Sequence, residues 1–140
     1  LVAEELEARI LELDKKYQRA RKELVEYEAI NLENAEVVFV AYGSTARITE
    51  EAIDLLAEAG INAGMIRPIS LWPYPYEAFD KIPSSTKAVI SVELSRGQMI
   101  DDVKIGCCGR FPVSLCSRVG GMLLTPQEIA ADAKKVLGVE

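Results

Sequence analysis

Between Ala3 and Ile30, the residues Leu6, Ile10, Leu13, Tyr17, Ala20, Leu24 and Tyr27 recur at alternating steps of four and three. That spacing predicts one long amphipathic helix with a narrow apolar seam, the stripe of a helix packed against a single partner. Glu5 with Arg9, Glu12 with Lys16, Arg19 with Glu23 and Lys22 with Glu26 flank the seam one turn apart. Such pairs contribute only ~0.2–0.5 kcal/mol each. A buried apolar side chain of the stripe contributes ~1.5–3 kcal/mol. Packing therefore dominates, and the helix needs a surface to lie on: its own domain, or another domain or subunit.

Asn31-Leu32-Glu33-Asn34 interrupts the periodicity, and from Glu36 short apolar runs alternate with helical periods, the pattern of an α/β domain. The expected organisation is a linker or docking helix over residues 1–34 and an α/β domain over residues 35–140. Val37 to Ala41 is apolar at consecutive positions, as in a strand covered on both faces. Ile48, Ala52, Leu55, Leu56 and Ala59 share a helical face that stops at Gly60. A second strand is expected from Ile61 to Arg67. The run from Pro68 to Tyr76 is too rich in proline for regular structure and reads as a stiff loop. A short helix from Tyr76 to Lys81 follows, then a strand from Lys87 to Glu93. Gly97 opens a helix through Met99, Ile100, Val103 and Cys107 that closes near Gly109. Phe111 to Ser117 reads as a fourth strand, and Gly120-Gly121 as a flexible turn. Thr125-Pro126-Gln127-Glu128 is a capping box with proline at the first helical position, opening a last helix.

Composition narrows the chemistry. The 140 residues suit one domain, and an apolar fraction of 49% supports a packed core. A net charge of −6 with no basic stripe argues against a nucleic-acid surface. No segment approaches the ~18–20 apolar residues of a membrane span. LVAEELEARI is charged within its first residues, unlike a secretory signal, and its start at Leu1 suggests a fragment or processed piece. With no histidine, Ser-His-Asp and Cys-His catalysis are excluded, and so is the commonest zinc ligand. Cys107, Cys108 and Cys116 form no C-x-x-C and read as small apolar residues in a reducing cytoplasm.

Two strand-to-helix crossings are candidate sites. Tyr42-Gly43-Ser44-Thr45 offers a glycine turn and a helix N-terminus, which favour an anion, but neither phosphate-loop glycine spacing is present. Gly43 is expected to turn the chain, with Ser44 or Thr45 as N-cap, and the turn faces a cofactor side without gripping it. At the second crossing, Glu93 ends a strand ahead of Gly97 and Gln98. Its carboxylate is expected in a crevice, an interface or solvent, or in a salt link to Arg96 or Arg118. Trp72, Tyr74 and Tyr76 crowd the proline loop and suit partner contact or local cover. Arg118, with Gly120 and Gly121 beyond it, could contact a phosphate or form a hinge.

Taken in order, "VVFVAYGSTARI", "RPISLWPYP", "SVELSRGQMIDDVKIGCCGR" and "SRVGGMLLTPQEI" resemble the C-terminal part of the alpha subunit of 2-oxoacid:ferredoxin oxidoreductases. The pattern is closest to the branched-chain, 3-methyl-2-oxobutanoate (2-oxoisovalerate) type, with the 2-oxoglutarate type nearly as close. The resemblance implies a fold like the transketolase C-terminal domain, a three-layer α/β/α sandwich with a mostly parallel sheet. It further implies a cytoplasmic complex of anaerobic metabolism that decarboxylates a 2-oxoacid with thiamine diphosphate and Mg. That complex passes the acyl group to coenzyme A and the electrons through iron–sulfur clusters to ferredoxin. On that resemblance the thiamine diphosphate belongs to the upstream domain and the beta subunit, the clusters lie elsewhere too, and the gamma/delta subunits are further partners. This chain would hold none of these cofactors alone, and a dimer is among its possible assemblies. The alternatives are a small-ligand domain for phosphate or coenzyme A, and the corresponding domain of a transketolase or pyruvate dehydrogenase.

Overall fold

A computed structural model describes residues 2–139; Leu1 and Glu140, the outer limits of the two expected regions, lie outside the described residues. The elements are α1 (Ala3–Glu23), β1 (Tyr27–Ile30), β2 (Val37–Val40), α2 (Gly43–Glu58), β3 (Ala63–Pro68), β4 (Ala88–Glu93), α3 (Met99–Cys107), β5 (Val113–Ser117) and α4 (Pro126–Leu137), with a 3-10 turn at Tyr76–Lys81. The strands form one sheet in the order β1-β3-β2-β4-β5. β1 runs antiparallel to β3, and the other pairings are parallel.

The order explains the layers. From β2 the chain crosses through α2 to β3 on one side; from β4 it crosses through α3 to β5 on the other. Parallel crossovers are right-handed, so two that leave the middle in opposite directions put their helices on opposite faces. α2 and α4 cover Phe39, Met65, Ile90 and Val92. α3 and the 3-10 turn cover Val38, Val40, Ile66 and Val89. Both faces of β2 and β4 are thereby closed, which is why their sequences are apolar without alternation. The result is the expected three-layer α/β/α sandwich with a mostly parallel sheet. Thr125 caps α4 by the expected reciprocal box with Glu128. No helix of the described residues is long and apolar enough to cross a membrane.

Three expectations about local structure are corrected. The first helix ends at Glu23, not Ile30, because Tyr27–Ile30 pair with Pro68–Met65 as an edge strand. Arg67 and Glu28 form a 3.0 Å ion pair across that edge. Tyr27 fits the seam spacing, but it serves the α3-side core. Cysteine is a buried apolar residue at positions 107 and 116 only. Cys108 is exposed and adopts a left-handed φ of 49° at the C-cap of α3. On α1, Arg9 pairs with Glu12 in place of Glu5.

The seam of α1 packs only lightly on the domain, with Leu13 and Ala20 half-buried. No residue of the helix is buried, and Leu6, Ile10, Tyr17 and Leu24 are all exposed. Its aromatic contact with the body is Tyr17 edge-on to Trp72, with centroids 5.6 Å apart.

Candidate functional site

In an open α/β sheet, a crevice forms beyond the strand ends where neighbouring crossovers diverge. Here that point lies between β2 and β4, and a cavity of about 400 Å³ opens there, lined by Tyr42, Gly43, Ser44, Thr45, Glu93, Leu94, Ser95 and Gln98. The fold thus brings the two candidate crossings together in one crevice. Gly43, Ser44, Thr45, Glu93 and Gln98 share it.

The two walls differ in chemistry. On the β4 wall the Glu93 carboxylate is buried and accepts hydrogen bonds from five donors. Oε1 takes the Ser91 hydroxyl and the Ile100 amide, both at 2.9 Å. Oε2 takes the Ser95 hydroxyl at 2.8 Å and the amides of Gln98 and Met99 at 2.7 and 3.1 Å. The three amides belong to the start of α3, so the strand's own carboxylate fills the anion position at that helix terminus. Burial pushes the carboxyl pKa up, but the bonds from Gln98, Ser95, Ser91 and Met99 outweigh it and hold Glu93 below the ordinary glutamate value. The alternative reading, a salt link to Arg96 or Arg118, is not what the described residues form. Arg118 pairs instead with Glu128, the residue that completes the cap of α4.

On the β2 wall nothing equivalent occurs. Tyr42, in extended conformation, is the N-cap of α2 and provides no side-chain bond. This corrects the expected capping by Ser44 or Thr45. Thr45 is turned inward and donates its hydroxyl back to the Tyr42 carbonyl at 2.6 Å, so it stabilises the turn and leaves the amides uncapped. Gly43 has φ of 59° with open space where a Cβ would stand, so its requirement is conformational. Gly97 combines φ of 98° with a tight setting: a Cβ would stand 3.0 Å from Leu115 and 3.1 Å from Ile100.

The remaining candidates lie elsewhere. Arg118 lines a separate depression with Arg96, Leu115, Ser117, Val119 and Met122. Gly120 and Gly121 both have positive φ in the turn beyond it. Trp72 and Tyr74 line a groove with Arg21, Tyr76 and Asp102 among others. Trp72 is 61% exposed, whereas Tyr74 is buried with no hydrogen-bond partner for its hydroxyl among the described residues. Burial raises the Tyr74 phenol strongly. Tyr76 donates to Asp102 at 2.5 Å, which pushes its own pKa up to about 12.

Leu94 and Ser95 line the crevice without having been singled out in the sequence, and Tyr42 was named only as the start of the glycine turn. Ser95 had a signal: two residues past Glu93 and two before Gly97, its hydroxyl can reach both, and it does. Leu94 had none. It is one of several exposed apolar residues at this end of the sheet, with Tyr42, Val119, Met122 and Leu123. A second depression beside the crevice shares Gly43, Ser44 and Leu94 with it and adds Arg47, Arg67 and Leu123. Among the described residues no group of three or more His, Cys, Asp or Glu side chains is placed to hold a metal ion.

Residues 35–129 match the family model of pyruvate:ferredoxin oxidoreductase core domain II. The chain is 36% identical over 135 residues to the ketoisovalerate oxidoreductase subunit VorB of Methanothermobacter marburgensis; the match covers 96% of this chain and 38% of that subunit. The chain therefore spans well under half of the relative. Among solved structures, 2-oxoglutarate:ferredoxin oxidoreductase from Magnetococcus marinus, determined with 2-oxoglutarate, coenzyme A and succinyl-CoA bound, superposes with a TM-score of 0.70 at 26% identity. That superposition covers 80% of this chain and 20% of the other. A split-gene transketolase in an inactive β4 tetramer superposes at 0.63 and 22% identity over 80% of this chain and 42% of that one, a likeness of fold.

Proposed function

The chain belongs to the family of pyruvate:ferredoxin oxidoreductase core domain II, and from that premise we propose that it is a structural and assembly domain of a 2-oxoacid oxidoreductase. The complete enzyme would decarboxylate a branched-chain 2-oxoacid with thiamine diphosphate, form the acyl-CoA and reduce ferredoxin. In this proposal residues 35–140 brace the cofactor-binding domain, and α1 joins them to it. Tyr42, Gly43, Ser44, Leu94, Gln98 and the Arg118–Gly121 segment face neighbouring subunits at the strand ends. Trp72 provides a second contact surface.

One observation carries the reading: the crevice at the switch point is walled by turn backbone and by a carboxylate already committed to five donors. A general base needs a free lone pair aimed at substrate, and Glu93 has both oxygens engaged with the protein. The residues present do not fit a magnesium diphosphate either. Mg²⁺ takes hard oxygen ligands in octahedral array, usually one or two carboxylates with phosphate oxygens. Glu93 is spent on α3, and the neighbouring Ser44 and Ser95 are neutral hydroxyls. In this proposal thiamine diphosphate, Mg, the clusters and coenzyme A are therefore held by the upstream domain and by the beta and gamma/delta subunits. The exposed apolar residues around the crevice suit contact with protein.

The test has two arms. The 140-residue chain is assayed with 2-oxoisovalerate, thiamine diphosphate, magnesium, coenzyme A and ferredoxin, alone and after mixing with the other parts of the complex. No turnover alone and acyl-CoA formation only in the mixture is the expected result. Turnover by the chain alone would overturn the reading. So would micromolar binding of coenzyme A to the chain alone that Ser44→Ala abolishes, which would make it a small-ligand domain.

A further inference from the structure

We propose that α1 is a self-association element through which two copies of this chain pair in antiparallel orientation. It goes beyond the function proposed above, in which α1 joins the domain to the one before it, and its test can fail without that reading failing. The starting point is a seam that the body covers only in part: Leu6, Ile10, Tyr17 and Leu24 are exposed, Leu13 and Ala20 are half-buried, and no residue of the helix is fully buried. A helix of 21 residues is about 32 Å long, and an apolar stripe of that length is stable in water chiefly when another surface covers it.

The charges along α1 choose the occupant. Its first half carries Glu4, Glu5, Glu7, Glu12 and Asp14 against the single base Arg9. Its second half carries Lys15, Lys16, Arg19, Arg21 and Lys22 against the single acid Glu23. A copy of the same helix laid in the reverse direction places each acidic half on a basic half, whereas the parallel arrangement sets like on like.

The heptad positions make the match specific. Ile10, Tyr17 and Leu24 occupy one seam position and Leu6, Leu13 and Ala20 the other. In antiparallel register Leu6 meets Leu24, Ile10 meets Ala20 and Leu13 meets Tyr17. The same register sets Glu7 opposite Arg21 on one flank and Arg9 opposite Glu23 on the other, and each pair occurs twice by symmetry. Flanking charges of this kind decide orientation in helix pairs. Only two like-charge meetings arise, Asp14 and Lys16 each with its own copy at the centre. Trp72 extends the platform at Tyr17, the point where the seam touches the body.

Sedimentation equilibrium of the 140-residue chain, from low micromolar to submillimolar concentration, should show a reversible dimer that weakens as salt rises, because its orienting pairs are exposed. Ile10→Asp should weaken the dimer at least tenfold and leave the circular dichroism of the body unchanged. Arg21→Glu should weaken it several-fold, and Glu7→Arg added to Arg21→Glu should restore it. In a Cys108→Ser background, a copy with Glu7→Cys mixed with a copy with Arg21→Cys should form the mixed disulfide in preference to either self-disulfide. A monomer throughout the concentration range would overturn the proposal. So would a dimer that survives Ile10→Asp, or preferential disulfide formation between two Glu7→Cys copies.

Discussion

The two strand-to-helix crossings that wall the crevice look alike in sequence and differ in what occupies the helix terminus. At β4–α3, a strand-end glutamate turns back and binds the first amides of the helix through both oxygens. At β2–α2, the strand is followed by Ala41 and the N-cap residue Tyr42, whose side chain makes no cap bond, and Thr45 bonds a carbonyl in the same turn. Helix termini leave donors that need partners. One wall satisfies them from within; the other leaves them to solvent or to whatever docks there. Whether a glycine crossing is a binding feature or a chain connector thus depends on the residue that ends the strand.

The contrast can be tested by substitution. The largest effect is expected from Glu93→Ala, which removes a charged acceptor and orphans three amides and two hydroxyls in a buried setting. Hydrogen bonds to charged groups are worth ~1.5–3 kcal/mol each and do not add fully, so a loss of about 3–5 kcal/mol in denaturant unfolding is expected. A loss under about 1 kcal/mol would erase the difference between the walls. Glu93→Gln retains the shape without the charge and should fall between the variant and the parent.

That isosteric variant also isolates a pH dependence. Glu93 has a folded pKa below its unfolded value. Its contribution is therefore fully present above the unfolded carboxyl pKa and is lost as pH falls through the folded one. Glu36 and Glu128 are lowered as well, by Lys87 and by the Thr125 amide with Arg118 respectively. The informative quantity is the stability of the parent minus that of Glu93→Gln, which should shrink as acid is added below the ordinary glutamate range.

Next in size is Gly97→Ala, where a positive φ coincides with a Cβ forced against Leu115 and Ile100. Left-handed strain of ~1–2 kcal/mol plus overpacking predicts a loss of about 2–4 kcal/mol. Gly43→Ala carries the same kind of backbone strain with nothing for the methyl to strike, so about 1 kcal/mol is expected. Equal losses at the two glycines, by the same unfolding measurement, would show that packing at Gly97 is unimportant. The smallest effect belongs to Ser44→Ala, an exposed position with no cap bond, expected within ~0.5 kcal/mol of the parent.

Most of the sandwich was legible in the chain because its strands are buried on both faces and its helices carry clear apolar faces. Val37–Val40 and the capping box at Thr125 are examples. β1 was not legible. Tyr27 continues the helical spacing of the seam, and a four-residue edge strand is defined by its partner β3, far along the chain. The close approach of that partner is tertiary too: a Cβ at Gly64 would stand 2.6 Å from the Asn31 carbonyl. At the site, the glycine crossings and Glu93 could be named from sequence, but the direction of the carboxylate could not. Several acceptors and donors compete around a strand end, and the geometry of the Leu94–Gly97 loop decides among them. The two arginines weighed as partners lost to backbone amides that lie closer.

Because Glu93 closes its helix terminus with atoms of the same polypeptide, that end of the sheet reaches its native shape without waiting for a visitor. A domain finished in this way can be made first and stored folded, so that joining the rest of an assembly becomes a meeting of rigid parts with little left to order on contact.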